Sequence, residues 1–213
     1  MNNAASTDTE PTLDAARYPL LKSQVMPPII NKLEQRSDPL VILDCGYGLP
    51  ETIAFFSDRP CRLHFGGFQE YYAAIPGTDS GDVAAREALW HELFRKEMNY
   101  PAGTRFDLCL FWDMFCYLDM PAVRGFIRAL SPFIKPHTLA HAFMATSSRS
   151  SFPHRAYGLV TADQLSLRPA ETGGAKTYPR PQGTLSRELD RFEVDRGVLH
   201  QGNLLELSLM VKS

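Results

Sequence analysis

Hydrophobic positions in this chain fall into short blocks whose period changes from one block to the next. Leu40-Val41-Ile42-Leu43 is a continuous apolar run with β-branched members, the pattern of a strand buried on both faces. Cys61 to Phe65, Phe106 to Trp112 and Thr138 to Ala145 predict further strands. Between them, apolar residues recur at helical spacing. Asp82 to Met98 and Pro121 to Phe133 predict helices. Pro50 suits the first turn of another helix, where no backbone N–H is missed, with Ile53, Ala54, Phe55 and Phe56 expected against the sheet. Near the start, Leu20, Leu21, Val25, Ile29, Ile30 and Leu33 share a helical face, and Pro27-Pro28 should break that segment or start a second helix.

The last third reads differently. Thr146 to His154 is a polar loop. Arg168 to Gly183 carries too many prolines and glycines for a regular element, and Thr184 to Leu189 predicts a short helix. Phe192 to Leu199 and Leu204 to Val211 predict two strands joined by Gln201-Gly202-Asn203, a hairpin signal. Strands alternating with helices, then a terminal hairpin, predict an α/β three-layer sandwich. Its sheet is mainly parallel with a C-terminal antiparallel hairpin. Between Phe65 and Phe106 no convincing third strand is legible, and Gly77 to Gly81 reads as a turn-rich loop. Residues 1–16 are small, polar and acidic and read as a disordered tail, leaving 17–213 as one domain.

Composition narrows the class. Hydrophobic residues make up 44% of the chain and charged residues 22%, which is ordinary for soluble proteins. A formal net charge of -2 gives no general attraction to nucleic acid or to an anionic membrane. No apolar stretch reaches the roughly 18 residues needed to span a bilayer, and the start has no signal-peptide pattern. Cys45, Cys61, Cys109 and Cys116 sit in or beside apolar runs without CxxC spacing. They read as reduced, mostly buried thiols, and a cytoplasmic location is expected. The six histidines are scattered, and no metal site is expected.

The chemistry-bearing candidate is the turn after the first buried strand, Asp44-Cys45-Gly46-Tyr47-Gly48. Glycines at alternate positions let a backbone approach a ligand, and the helix that follows offers free N–H groups. A tight strand-to-helix turn with no ligand has the same look. Asp113 reads either as a ligand contact or as a cap on the next helix. Ser147, Ser148, Ser150 and Ser151 beside Arg149, His154 and Arg155 read as a solvated loop or an anion site. Lys176, Tyr178 and Arg180 read as a surface loop, a lid or a partner surface.

Order adds to the turn. Val41 to Gly48 resembles the first motif of class I S-adenosylmethionine-dependent methyltransferases, and Phe106 to Leu118 their fourth. Leu130-Ser131-Pro132-Phe133-Ile134-Lys135-Pro136-His137 is similar to the turn before their fifth strand, and the terminal hairpin to their last two strands. The resemblance runs from about Leu20 to the C-terminus. It implies S-adenosylmethionine over the carboxyl ends of the strands, with Asp44, Gly46, Tyr47 and Gly48 facing its methionine moiety and Trp112, Asp113 and Met114 near the sulfonium. The chain departs from the family at the ribose. The acid usual at the end of the second strand is absent. Gly66-Gly67 stand there, Glu70 is the nearest acid, and Pro50 replaces a loop glycine.

Two functions from different classes follow. One is a methyltransferase acting on a small-molecule or protein acceptor, with no catalytic residue identified. The other is a degenerate, non-catalytic relative that serves as a binding or scaffold protein for a protein partner. A nucleic-acid acceptor lacks the basic stripe it would need. An open space at Gly66-Gly67 with Gln69 or Glu70 turned inward would favour the cofactor. Phe65, Phe68 or Tyr47 filling it would favour the binding protein.

Overall fold

The computed structural model describes residues 17–71, 81–147, 154–170 and 175–212. The expected tail at 1–16, most of the Gly77–Gly81 loop, Arg149 with its neighbouring serines 148, 150 and 151, and Gly173-Gly174 lie outside the described residues. In chain order the elements are β1 (Leu20–Lys22), α1 (Met26–Glu34), β2 (Leu40–Asp44), α2 (Pro50–Ser57), β3 (Cys61–Phe65), α3 (Val83–Glu97), β4 (Leu108–Trp112), α4 (Met120–Leu130), β5 (Leu139–Ala145), β6 (Arg155–Thr161), β7 (Gln164–Pro169), α5 (Gln182–Glu188), β8 (Phe192–His200) and β9 (Leu204–Val211).

The main sheet has six strands in the order β3-β2-β4-β5-β9-β8. The pairings from β3 to β5 are parallel, and β9 runs antiparallel to β5 and β8 antiparallel to β9. This is the expected α/β arrangement, a mainly parallel sheet with a C-terminal antiparallel hairpin. Among the described residues no strand stands between β3 and β4 in the chain. The inner strands β2 and β4 read as apolar runs because both faces are covered, whereas edge strand β3 carries Arg62 and His64. Leu43, Cys109, Phe111, Ala140, Ala142, Leu207 and Leu209 face a core built with α3 and α4. Ile42, Leu108, Leu110, Trp112, Leu139 and Phe143 face a second core built with α1, Phe56 of α2 and Tyr157, Leu159 and Leu165 of β6 and β7.

That second face holds the departures from the predicted pattern. Leu20 and Leu21 lie in β1, which joins β7 and β6 in a separate three-stranded antiparallel sheet. The helix starts later because Ser23 Oγ accepts the Met26 N–H at 2.8 Å, and Pro27-Pro28 then fill its first turn. The β6–β7 hairpin was missed in the sequence, beside the polar loop before it. It covers α2, so α2 buries Glu51, Thr52 and Phe56 and leaves Ile53 exposed. Thr52 Oγ1 accepts the Leu159 N–H at 3.0 Å, and Glu51 Oε1 accepts from Ser166 Oγ at 2.8 Å and Arg168 Nε at 2.9 Å. All four cysteines are free thiols; Cys61 is half-buried and the others buried. Among the described residues no helix is long and apolar enough to cross a membrane.

One buried charge ties β9, β5 and the start of α1 together. Glu206, with no exposed surface, accepts from Ser23 Oγ at 2.5 Å and sits 2.8 Å from Nε2 of both His141 and His200. Burial pushes its carboxyl up, but the His141, Ser23 and His200 contacts together hold it below the ordinary carboxylate range. Such a group stabilises the fold above its unfolded pKa and ceases to do so as pH falls through its folded one. Glu206→Gln should therefore lower stability at pH 7 by about 1–3 kcal/mol. The gap to the unmodified protein should shrink as pH falls below about 4.5. Thermal melts from pH 7 to pH 3 check this, and a gap independent of pH overturns it.

Candidate functional site

β2 ends at Asp44, at the carboxyl edge of the sheet and between β3 and β4. Asp44 is fully buried. Its Oδ1 accepts two hydrogen bonds, from the Gly46 N–H at 2.7 Å and from Trp112 Nε1 at 2.7 Å. Its Oδ2 is buried and has no hydrogen-bond partner among the described residues. Burial raises the Asp44 carboxyl most. The bonds from Trp112 and Gly46 pull it partly back, and it ends at about 6.

The glycines of the turn meet aromatic rings of the chain itself. A Cβ on Gly46 would lie 2.5 Å from Cδ1 of Trp112. Gly48 has φ +59, where other residues are strained, and a Cβ there would lie 3.0 Å from the Phe65 ring. A Cβ on Gly66 would lie 2.1 Å from Phe68, a wholly buried ring packed among Phe94 and Phe126. At Gly67 nothing lies within 4 Å. The last residue of β3 is Phe65, paired in register with Asp44. Phe65, 46% exposed, therefore ends the strand one position before Gly66-Gly67, where the resemblance placed the missing acid. Gln69 turns inward to donate to the Cys45 carbonyl at 2.9 Å.

Trp112 owes its place to the backbone. Its φ is 49, a left-handed conformation rare for a tryptophan, and the β4–β5 register shifts between Leu110 and Trp112. The indole is thereby aimed at Asp44 and stacks on Tyr157 of β6 at 5.7 Å and 7°. Asp113 and Met114 follow, both buried. The Asp113 side chain makes no cap hydrogen bond to the short 3-10 turn Met114–Cys116; only its carbonyl accepts there, from the Cys116 N–H at 2.8 Å. Burial pushes its carboxyl up to about 8, against the lowering effect of N–H groups, Arg155 among them, and of the Tyr117 hydroxyl. Burial thus favours the protonated form of Asp113.

The sequence singled out Asp44, Gly46, Tyr47, Gly48, Trp112, Asp113 and Met114. The structure brings six of them to one edge of the sheet around the Asp44–Trp112 bond, while Met114 points into the α3–α4 core. Two aromatic neighbours of Asp113, Tyr117 and Tyr157, were given no role in the sequence reading. Tyr117 Oη stands 3.5 Å from Asp113 Oδ2, and Tyr47 Oη lies 2.6 Å from Nε2 of His154, whose ring meets Tyr117 at 4.6 Å. The signals were available: Tyr117 follows Asp113 by four residues, and Tyr157, Leu159, Leu165 and Leu167 alternate as a hairpin does. Chemically this edge offers a buried acid ringed by phenols and a carboxylate with one satisfied and one unsatisfied oxygen. Among the described residues, no group of three or more metal-binding side chains forms.

No family model and no curated protein matches this chain. Solved structures resemble it at low identity. One is a 1,6-didemethyltoxoflavin-N1-methyltransferase of Burkholderia thailandensis, bound to 1,6-didemethyltoxoflavin and S-adenosylhomocysteine. It is 13% identical over 89% of this chain and 78% of that one, with a TM-score of 0.48. The glycopeptide N-methyltransferase MtfA complexed with S-adenosylmethionine is 10% identical over 89% and 94%, with a TM-score of 0.44. The N-methyltransferase NodS from Bradyrhizobium japonicum WM9, in complex with S-adenosylhomocysteine, is 13% identical over 88% and 86%, with a TM-score of 0.46. At such identities the likeness lies in the path of the chain and leaves the chemistry to this chain's own side chains.

Two outcomes test this geometry. Gly46→Ala should cost about 1–3 kcal/mol, since the new methyl collides with a buried indole, whereas Gly67→Ala, in open space, should be nearly neutral; denaturant melts compare them, and equal effects refute the packing. For Asp113, the native state keeps a proton that the unfolded chain releases near 3.8, so stability falls as pH rises from there to about 8. Asp113→Asn should flatten the fall in melting temperature between pH 5 and pH 9. An unchanged slope would show that Asp113 is not the group responsible.

Proposed function

We propose that this chain is a methyltransferase-fold protein that works by binding and not by methyl transfer, its glycine loop serving its own packing. The observation that carries this reading is the Trp112 indole lodged against Gly46 and bonded to Asp44. Phe65 over Gly48 and Phe68 against Gly66 act in the same sense. A nucleoside cofactor would need the space beside these glycines. Displacing Trp112 would break its bond to a buried carboxylate and its stack on Tyr157, a cost any cofactor affinity would have to exceed. Phe65 at the strand end offers no acceptor for ribose hydroxyls.

A second reading, S-adenosylmethionine-dependent methyl transfer, is favoured by the inward turn of Gln69 beside the open Gly67 and, more specifically, by a buried acceptor. Asp44 Oδ2 is a buried acceptor without a partner among the described residues, and the ammonium group of a bound amino acid would satisfy it. Phe65, half in solvent, could turn off Gly48 to admit the rest. Asp44, Gly46, Tyr47 and Gly48 would then face the cofactor and Asp113 the acceptor, whose identity these residues do not specify.

Calorimetric titration with S-adenosylmethionine and S-adenosylhomocysteine separates the two. The binding reading expects no heat and no thermal stabilisation at millimolar ligand. A micromolar dissociation constant, which at a hundredfold excess stabilises by about 2.7 kcal/mol, overturns it in favour of the second.

A further inference from the structure

On the opposite side of the same sheet edge lies a cavity of about 870 Å³, formed where α3 and α4 begin and the segment before α5 crosses them. The Tyr178 N–H donates to the Cys116 carbonyl at 2.7 Å and the Arg180 N–H to the Ala145 carbonyl at 3.0 Å, which pins that segment over the carboxyl ends of β4 and β5. Crevices at this end of an open α/β sheet are where such folds take ligands.

Cations dominate its charged lining. Arg86 pairs with Asp119, and Arg124 pairs with Glu87 and Glu188. Arg180 and Lys176 have no ion pair among the described residues. Arg180 is 6% exposed. Its three bonds go to neutral acceptors: the Tyr178 carbonyl at 3.0 Å, Met120 Sδ at 3.2 Å and the Leu118 carbonyl. A guanidinium has five N–H groups, so both terminal nitrogens keep a hydrogen to give. The Nε of Arg86, in the same wall, is also buried without a partner. Lys176 is exposed at the rim, with its ammonium 5.1 Å from the centre of the Tyr178 ring. A buried cation with only neutral partners is costly, and its natural complement is an anion that accepts charge-assisted hydrogen bonds. Burial already depresses the Arg180 guanidinium; Asp119 and Glu188, though near, offset this only in part. Val83, Met120, Pro121 and Pro179 give the wall an apolar part, beside Thr177 and Thr184, that would suit the body of an organic acid.

We propose that this cavity binds the oxyanion group of a small organic molecule, with Arg180 and Lys176 as its contacts and the Tyr178–Met120 wall against its apolar body. Carboxylate and phosphate share this chemistry. The site stands on this cavity alone and holds whether or not the glycine loop takes a nucleoside.

The test titrates the full chain with benzoate, phenyl phosphate and neutral benzyl alcohol, by calorimetry and by thermal shift. At least one anion should bind and raise the melting temperature, less so at high salt, while benzyl alcohol should do neither. Whichever anion binds more tightly identifies the source. Lys176→Gln, a change at an exposed position, should weaken binding about tenfold. Arg180→Gln should abolish it; if that variant does not fold, Lys176→Gln decides. Anions that bind no better than benzyl alcohol, or with undiminished affinity in Lys176→Gln, overturn the proposal. A null titration with S-adenosylmethionine leaves it untouched.

Discussion

The carboxyl edge of this molecule depends on one buried acid. Asp44 has lost its solvent, and its Oδ1 is compensated by a backbone N–H two residues on and by the Trp112 indole from the neighbouring strand. An unsatisfied buried carboxylate costs far more than one hydrogen bond returns. That asymmetry constrains everything near it. Trp112 must adopt a left-handed backbone to reach Asp44, which costs on the order of 1–3 kcal/mol. Gly46 must lack a side chain because the indole occupies its Cβ position. Tyr157 must come from β6 to cover the indole, which fixes where the second sheet docks.

Electrostatics at this end of the sheet divides by face. On the Asp44 face, burial raises acids: Asp44 to about 6 and Asp113 to about 8, with Tyr47, Tyr117 and His154 around them. Across the strand ends the charge is reversed, and Arg180 sits buried without a carboxylate of its own. One polypeptide segment makes that second environment. Its backbone is tied to Cys116 and Ala145, so the position of Arg180 follows from where β4 and β5 end. The deeper Glu206 cluster, by contrast, satisfies its charge internally with Ser23, His141 and His200 and serves the packing of β9 on β5.

Much of this was legible in the chain. Apolar runs mark buried parallel strands because both faces are covered, and Leu40–Asp44, Leu108–Trp112 and, but for His141, Leu139–Ala145 obeyed that rule. Asp82 caps α3, as a short acid before a helical pattern should, and Gln201-Gly202-Asn203 turns β8 into β9 with Gly202 and Asn203 at positive φ. The Asp44–Gly48 turn was visible because its glycines are local requirements. Less visible were elements stabilised only by distant partners. β1 has three residues and exists because β7 pairs with it; α2 buries Glu51 instead of Ile53 because Ser166 and Arg168 wait above it.

By itself, then, the sequence determined the fold class, the strands and helices of the main sheet layer and the place of the glycine turn, all of which rest on local periodicity and backbone preference. What fills the turn was decided by tertiary structure. Phe65, Phe68 and Trp112 read as ordinary core aromatics, and nothing local shows which of them lies over which glycine, since that depends on register between strands far apart in the chain. The same holds for Arg180. In the sequence it is one cation in a proline-rich stretch; only where the ends of β4 and β5 meet that stretch is it driven out of water, because burial is a property of the assembled edge and not of the residue.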